Sequence, residues 1–236
     1  MTVRPVRLNA VIAWLFILGS ACFVLGSVPA YVSAVGGPVD GVTYVVGSVF
    51  FTSASFAQLL QAQSPETTGV DEVGQHQPAR VRFWNRQPHD RAWLAAATQF
   101  PGTLFFNIST VAALTHNATA AEADRYVWRP DLYGSTLFLV ASAFGILAVS
   151  PHVLRLEPAS VPWRIAWLNM VGSVLFMASA LASYVVPSTD EVLSTRVSVA
   201  GTFLGAVCFL VGAALMFPAW RRTLVPVPAA GGGRHP

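Results

Sequence analysis

The side chains of this sequence that could do chemistry are few, and most stand inside apolar runs. Ser20, Ser48, Thr103, Ser135 and Ser173 each follow a glycine within a long hydrophobic segment, and Asn107 and Asn169 are the costliest polar groups there. A carboxamide in hydrocarbon loses its water, so both asparagines need a partner. Either they line a polar path or bind a solute, or they hydrogen-bond a neighbouring helix; the second reading needs no ligand. His76 and His89 share one segment with Asp71, Glu72 and Asp90, yet no His-x-x-His, Cys-x-x-Cys or His-Glu-x-x-His spacing occurs. Neither a metal site nor a cofactor is expected. Cys22 and Cys208 read as small apolar filler. No nucleophile–base set, phosphate-cradling loop, dinucleotide fingerprint or carboxylate pair within an apolar run is present, so no catalytic residue and no enzyme is expected.

The composition says where such residues must sit. Of 236 residues, 54% are hydrophobic and 11% charged, with a mean hydropathy of +0.55. A soluble domain carries about 25% charged residues. Fourteen basic residues, all arginine, against eleven acids leave a net +3, which excludes a nucleic-acid-binding surface and extensive disorder. Six stretches reach the length a helix needs to cross a bilayer, at 9–34, 41–62, 92–115, 132–153, 165–187 and 197–219. Their charges fall at or beyond their ends, as a bilayer requires. The apolar run from Leu8 to Val35 is too long for a signal-peptide core and reads as a retained helix.

Orientation follows from the arginines. Arg4, Arg7, Arg80, Arg82, Arg86, Arg91, Arg155, Arg164, Arg221, Arg222 and Arg234 lie on one side of such an arrangement, and only Arg125, Arg129 and Arg196 on the other. The positive-inside rule then places both termini in the cytoplasm of a multi-pass cell-membrane protein. Trp14, Trp93, Trp163, Trp167 and Trp220 fall at the cytoplasmic ends, where indoles anchor. The 63–91 loop carries Ala79-Arg80-Val81-Arg82-Phe83-Trp84-Asn85-Arg86, which suits either anionic headgroups or a docking partner. The tail over 226–236 reads as disordered.

A pattern recurs in all six stretches: glycine, then a small residue, then phenylalanine at the fourth position after the glycine. The pairs are Gly19 and Phe23, Gly47 and Phe51, Gly102 and Phe106, Gly134 and Phe138, Gly172 and Phe176, and Gly205 and Phe209. Such a stripe lets two backbones approach and offers a ring to cover the opposing glycine. It favours helix packing over a ligand site. Ala-Trp-Leu recurs at 13–15, 92–94 and 166–168. The expected fold is therefore all-α, with six transmembrane helices forming three parallel hairpin repeats. Pro101-Gly102 predicts a kink in the third span.

The Gly-Ser-x-x-Phe unit, clearest from Asn169 to Phe176, resembles the YrhK-like membrane domain family. That resemblance implies a helical membrane fold and no catalytic residue. The expected partners are the lipid bilayer and either another membrane protein or further copies of the chain, with no nucleic acid. The expected role is a non-enzymatic subunit or scaffold acting through helix packing; the alternative is a carrier or channel for a small neutral or lipophilic solute.

Overall fold

The structure is a computed structural model that describes residues 2–3, 5–64, 79–115, 119–150, 156–186, 188–189 and 191–222. The tail at 226–236, His76, His116, His152, His235 and much of the 63–91 loop lie outside the described residues.

The described chain is almost entirely helical. Helix α1 spans Pro5–Gly26, α2 Pro29–Val35, α3 Gly37–Ala62 and α4 Arg91–Thr115. The short α5, Ala120–Glu122, runs through a π-helical stretch, Ala123–Trp128, into α6, Arg129–Val149. Helices α7, Val161–Ala182, and α8, Thr195–Arg222, complete the order. Two short antiparallel strand pairs join Thr2–Val3 to Ala79–Arg80 and Val185–Val186 to Glu191–Val192.

Five segments are long and apolar enough to cross a membrane: Arg7–Gly26, Gly37–Ala62, Ala120–Val149, Val161–Ala182 and Thr195–Phe217. Helix α4, at the stretch 92–115, is as long but is diluted by Gln99, Thr103, Asn107, Ser109 and Thr110 and is not among them.

Helix ends differ from the expected spans for local reasons. The run 9–34 is two helices, because Pro29 cannot donate to the preceding turn and instead starts α2. The stretch 132–153 begins earlier, since Thr119 caps α5 by accepting a bond from the Glu122 amide and the helix continues unbroken past Asp131. Pro101 sits inside α4, which runs through it.

The six long helices pack as α1 with α3, α4 with α6 and α7 with α8. Further contacts of α3 with α4, α6 with α7 and α8 with α1 close the bundle. In each pair the glycines of the pattern face one another. A Cβ built on Gly19 would lie 2.7 Å from Phe51 Cδ2 and 3.0 Å from the Gly47 carbonyl oxygen, and one on Gly47 would lie 3.0 Å from Phe23. On Gly102 it would lie 3.0 Å from Phe138, and on Gly134 3.1 Å from the Gly102 carbonyl and 3.2 Å from Phe106. Gly172 would meet Phe209 at 3.1 Å, and Gly205 would meet Phe176 and, at 3.0 Å, the Gly172 carbonyl.

Small hydroxyl side chains share the interior with the phenylalanine core, and the exterior is apolar, unlike that of a water-soluble bundle. Buried positions include Ser20, Ser48, Thr103, Ser135 and Ser173, whereas Val11, Leu18, Leu25, Val42, Val46, Val49, Leu104, Ile108, Val111, Val174 and Leu204 are exposed. A surface of that kind satisfies lipid and would be an aggregation site in water.

Glycines at the contacts and elsewhere should therefore respond oppositely to alanine. Gly172→Ala should lower stability in detergent by about 1–3 kcal/mol through overpacking. Gly145→Ala, where a Cβ would meet nothing within 4 Å in mid-α6, should raise it by about 0.5–1 kcal/mol. Thermal or denaturant unfolding of the two variants in one detergent checks the sign.

Candidate functional site: two cavities and a phenylalanine plug

Because each motif phenylalanine covers the glycine of its paired helix, all six rings are driven to the centre of the bundle. They are buried and touch one another. Within the pairs the ring centroids are 5.6 Å apart for Phe23 and Phe51, 5.1 Å for Phe106 and Phe138, and 5.2 Å for Phe176 and Phe209. Between pairs, Phe51, Phe138 and Phe209 form a closed triangle with separations of 6.4, 6.0 and 5.8 Å. Phe176 joins Phe23 at 6.0 Å and Phe106 at 5.9 Å. Most of these contacts are edge-to-face, the favoured aromatic geometry, worth about 0.5–1.5 kcal/mol each.

A cavity opens on either side of this cluster, and all six long helices line both. The first, about 650 Å³, has Phe23, Phe106 and Phe176 at its floor and extends toward the ends that carry α2 and the π-helical stretch. Its polar groups are Asp40, Tyr44, Ser109, Thr110, Asp131, Ser179, Ser183, Ser198 and Thr202, with no basic side chain among them. Several hydroxyls are already engaged. Ser109 donates to the Val127 carbonyl at 2.9 Å, Ser179 pairs with Thr202 at 2.7 Å, and Tyr44 meets Ser27 at 3.0 Å. The Val127 carbonyl that accepts from Ser109 belongs to the π-helical stretch, a distortion of the kind that recurs at functional sites. Among the described residues neither Asp40 nor Asp131 has an ion-pair partner, and the buried Asp40 Oδ1 accepts no hydrogen bond.

The second cavity, about 570 Å³, has Phe51, Phe138 and Phe209 at its floor and opens toward the opposite end. It is lined by the carboxamides of Asn9, Gln58, Gln61, Gln99 and Asn169, by Ser142, and by small or apolar side chains, and none of its lining residues is charged. Gln61 Nε2 donates to Asn9 Oδ1 at 2.7 Å, and Ser142 pairs with Ser173 at 2.9 Å. Gln58 Oε1 is buried with no hydrogen-bond partner among the described residues.

The two asparagines singled out from the sequence part company. Asn169 lines the second cavity. Asn107 lines neither; its Nδ2 donates to Thr52 Oγ1 on α3 at 2.9 Å, so it ties two helices together. Cys22 and Cys208 are free thiols among apolar neighbours. Among the described residues no group of three or more metal-ligating side chains occurs.

Sequence reasoning passed over the carboxylates and the glutamines because each stands near the end of an apolar stretch and looks like a boundary residue. A signal was present. Gln99 and Asn169 stand seven residues before Phe106 and Phe176, Gln58 seven after Phe51, and Asp131 seven before Phe138. Seven residues is two turns, so each shares a helix face with a central ring.

Comparison with known proteins finds no matching family model, no matching curated protein and no matching solved structure.

The Asn107–Thr52 bond should register as a coupling of about 0.6–1.7 kcal/mol in a double-mutant cycle with Asn107→Leu and Thr52→Val, read by unfolding in detergent. Strict additivity would remove this bond as the role of Asn107.

Proposed function

We propose that the chain is a six-span integral membrane protein, built from three same-way-up hairpin repeats with both termini cytoplasmic, that forms a gated conduit for a small solute along its bundle axis. The observation that carries this reading is the alignment of two lined cavities on either side of one six-ring plug. Packing alone would be served by apolar side chains at Gln58, Gln99 and Asn169, whereas these positions carry carboxamides that line a cavity. A hydrophobic constriction of buried rings closes such a path by excluding water and opens when the rings part. The recurrence of the glycine–phenylalanine contact in α1/α3, α4/α6 and α7/α8 supports the three-hairpin repeat. The apolarity of α3 and α6 on either side of α4 supports a sixth crossing there. Membership of the YrhK-like family rests on Asn169 to Phe176 alone. No residue is assigned a catalytic role.

The test is a leak. Full-length protein in liposomes should pass its solute at a modest basal rate above empty vesicles, and Phe209→Ser, which puts a hydroxyl into the closed triangle, should raise that flux several-fold without altering wild-type elution in size-exclusion chromatography. A folded Phe209→Ser variant with wild-type flux would overturn the conduit.

A second reading, a subunit of a larger assembly, is favoured by Phe83 and Trp84, which are 62% and 83% exposed between Arg82 and Arg86. It predicts that native mass spectrometry of gently extracted protein retains a stoichiometric protein partner, and that Phe83→Ser with Trp84→Ser loses it. A wild-type chain that emerges bare ends this reading.

A further inference from the structure

We infer that the amide-lined cavity binds a neutral solute carrying hydrogen-bond donors and acceptors side by side, of the primary amide or urea class. This rests on the conduit reading and specifies what it carries.

Five carboxamides on four helices converge on one cavity: Asn9 from α1, Gln58 and Gln61 from α3, Gln99 from α4 and Asn169 from α7. A carboxamide presents an acceptor oxygen and two donor hydrogens in one plane. A ligand that repeats this pattern, an amide or a urea, can take two parallel bonds from one side chain, as a carbonyl or hydroxyl alone cannot. Gln58 lines this cavity and its buried oxygen has no partner among the described residues, so a turn of its side chain toward the cavity would let a ligand N–H satisfy it. Leaving that oxygen unpaired carries the desolvation cost of a buried polar group. The Asn9–Gln61 bond uses one acceptor and one hydrogen, leaving the Gln61 oxygen and the Asn9 amino group for a ligand.

Charge argues for the same class. No lining residue of this cavity is charged, so neither a cation nor an anion finds a counter-ion in it. An anion is further opposed by the Asp40 carboxylate in the other cavity, whose lining holds no base. A cation attracted by that carboxylate would shed its water to pass six phenyl rings and then meet only neutral dipoles. The apolar remainder of the wall, with Phe16, Phe51, Phe138, Phe209 and Met216, suits a compact solute with little exposed charge.

The experiment uses the full-length wild-type chain in liposomes. Vesicle swelling is followed by light scattering in urea, acetamide, methylammonium chloride and sodium nitrate, with empty vesicles as the blank. Urea and acetamide should enter about tenfold faster than into empty vesicles, and the two salts at the blank rate. Asn169→Leu and Gln99→Leu should each reduce the amide and urea rates by about tenfold, the value of one lost hydrogen-bonding site, while Asn169→Gln retains most of the flux. Flux of methylammonium or nitrate with none of urea or acetamide would overturn this inference and leave the conduit standing. Silence for all four solutes in wild type, together with silence in Phe209→Ser, would overturn both. The wild-type panel decides the solute class even if a variant fails to fold.

Discussion

Everything in this bundle depends on a contact made three times: a glycine on one helix pressed against a glycine of its neighbour, with each covered by the other's phenylalanine. In a bilayer two helices gain nothing by hiding apolar surface from lipid tails, so association must come from close packing and polar contacts. Glycine provides the closeness, because carbonyl oxygens and ring edges of the partner stand about where a Cβ would be at Gly19, Gly134, Gly172 and Gly205. Phenylalanine fills the space beside that approach. The arrangement is reciprocal, so neither helix of a pair can rotate without uncovering a glycine. The direction of each ring is thereby fixed, and six rings so directed must meet at the centre.

The cavities are the other side of the same choice. Small residues allow close helix contacts at the motif glycines, and small residues beyond the rings leave space unfilled on either side of them. Ala95, Ala96, Gly145, Ala148, Ala166, Gly212 and Ala213 surround the amide-lined cavity, and Gly37, Gly41, Ala113 and several serines surround the other. Each cavity is thus wide where the rings end. The polar groups that reach into these spaces differ in kind, carboxylates and hydroxyls on one side and carboxamides on the other. A solute on this axis would meet two different chemistries separated by a dry layer. The uncharged character of the second side is what narrows the solute to a neutral one in the reading advanced above.

The hydroxyls next to the motif glycines have varied fates. Ser48 donates to the Val45 carbonyl and meets Thr110, Thr103 donates to the Phe100 carbonyl, and Ser173 bridges to Ser142 on the neighbouring α6. Ser20 and Ser135 are buried with no hydrogen-bond partner among the described residues. A serine hydroxyl is small enough to sit at a helix crossing, and there its size serves more than its polarity. Asn107 is different: its Nδ2 reaches across to Thr52, while its buried Oδ1 has no partner among the described residues.

Much of the fold was legible because hydropathy and glycine spacing are properties of a single helix. Long apolar runs declare helices, and a glycine followed four residues later by phenylalanine declares which face is crowded. Helix ends were less legible. Pro29 splits a run that is apolar throughout, and the cap at Thr119 with the π-helical turn carries helix back through charged residues that hydropathy assigns to a loop. The site was only partly legible: Asn169 stands out as a polar group inside an apolar run, whereas Asn9, Gln58, Gln61 and Gln99 lie far apart in sequence and each alone resembles a span boundary. The helical, apolar character of the chain and the face on which each glycine and phenylalanine lies can be read residue by residue, because both follow from the period of one helix. That the rings close a common centre and that five amides share one cavity emerges when the helices assemble. Those outcomes depend on how six helices rotate and pair, a cooperative choice that no single segment encodes.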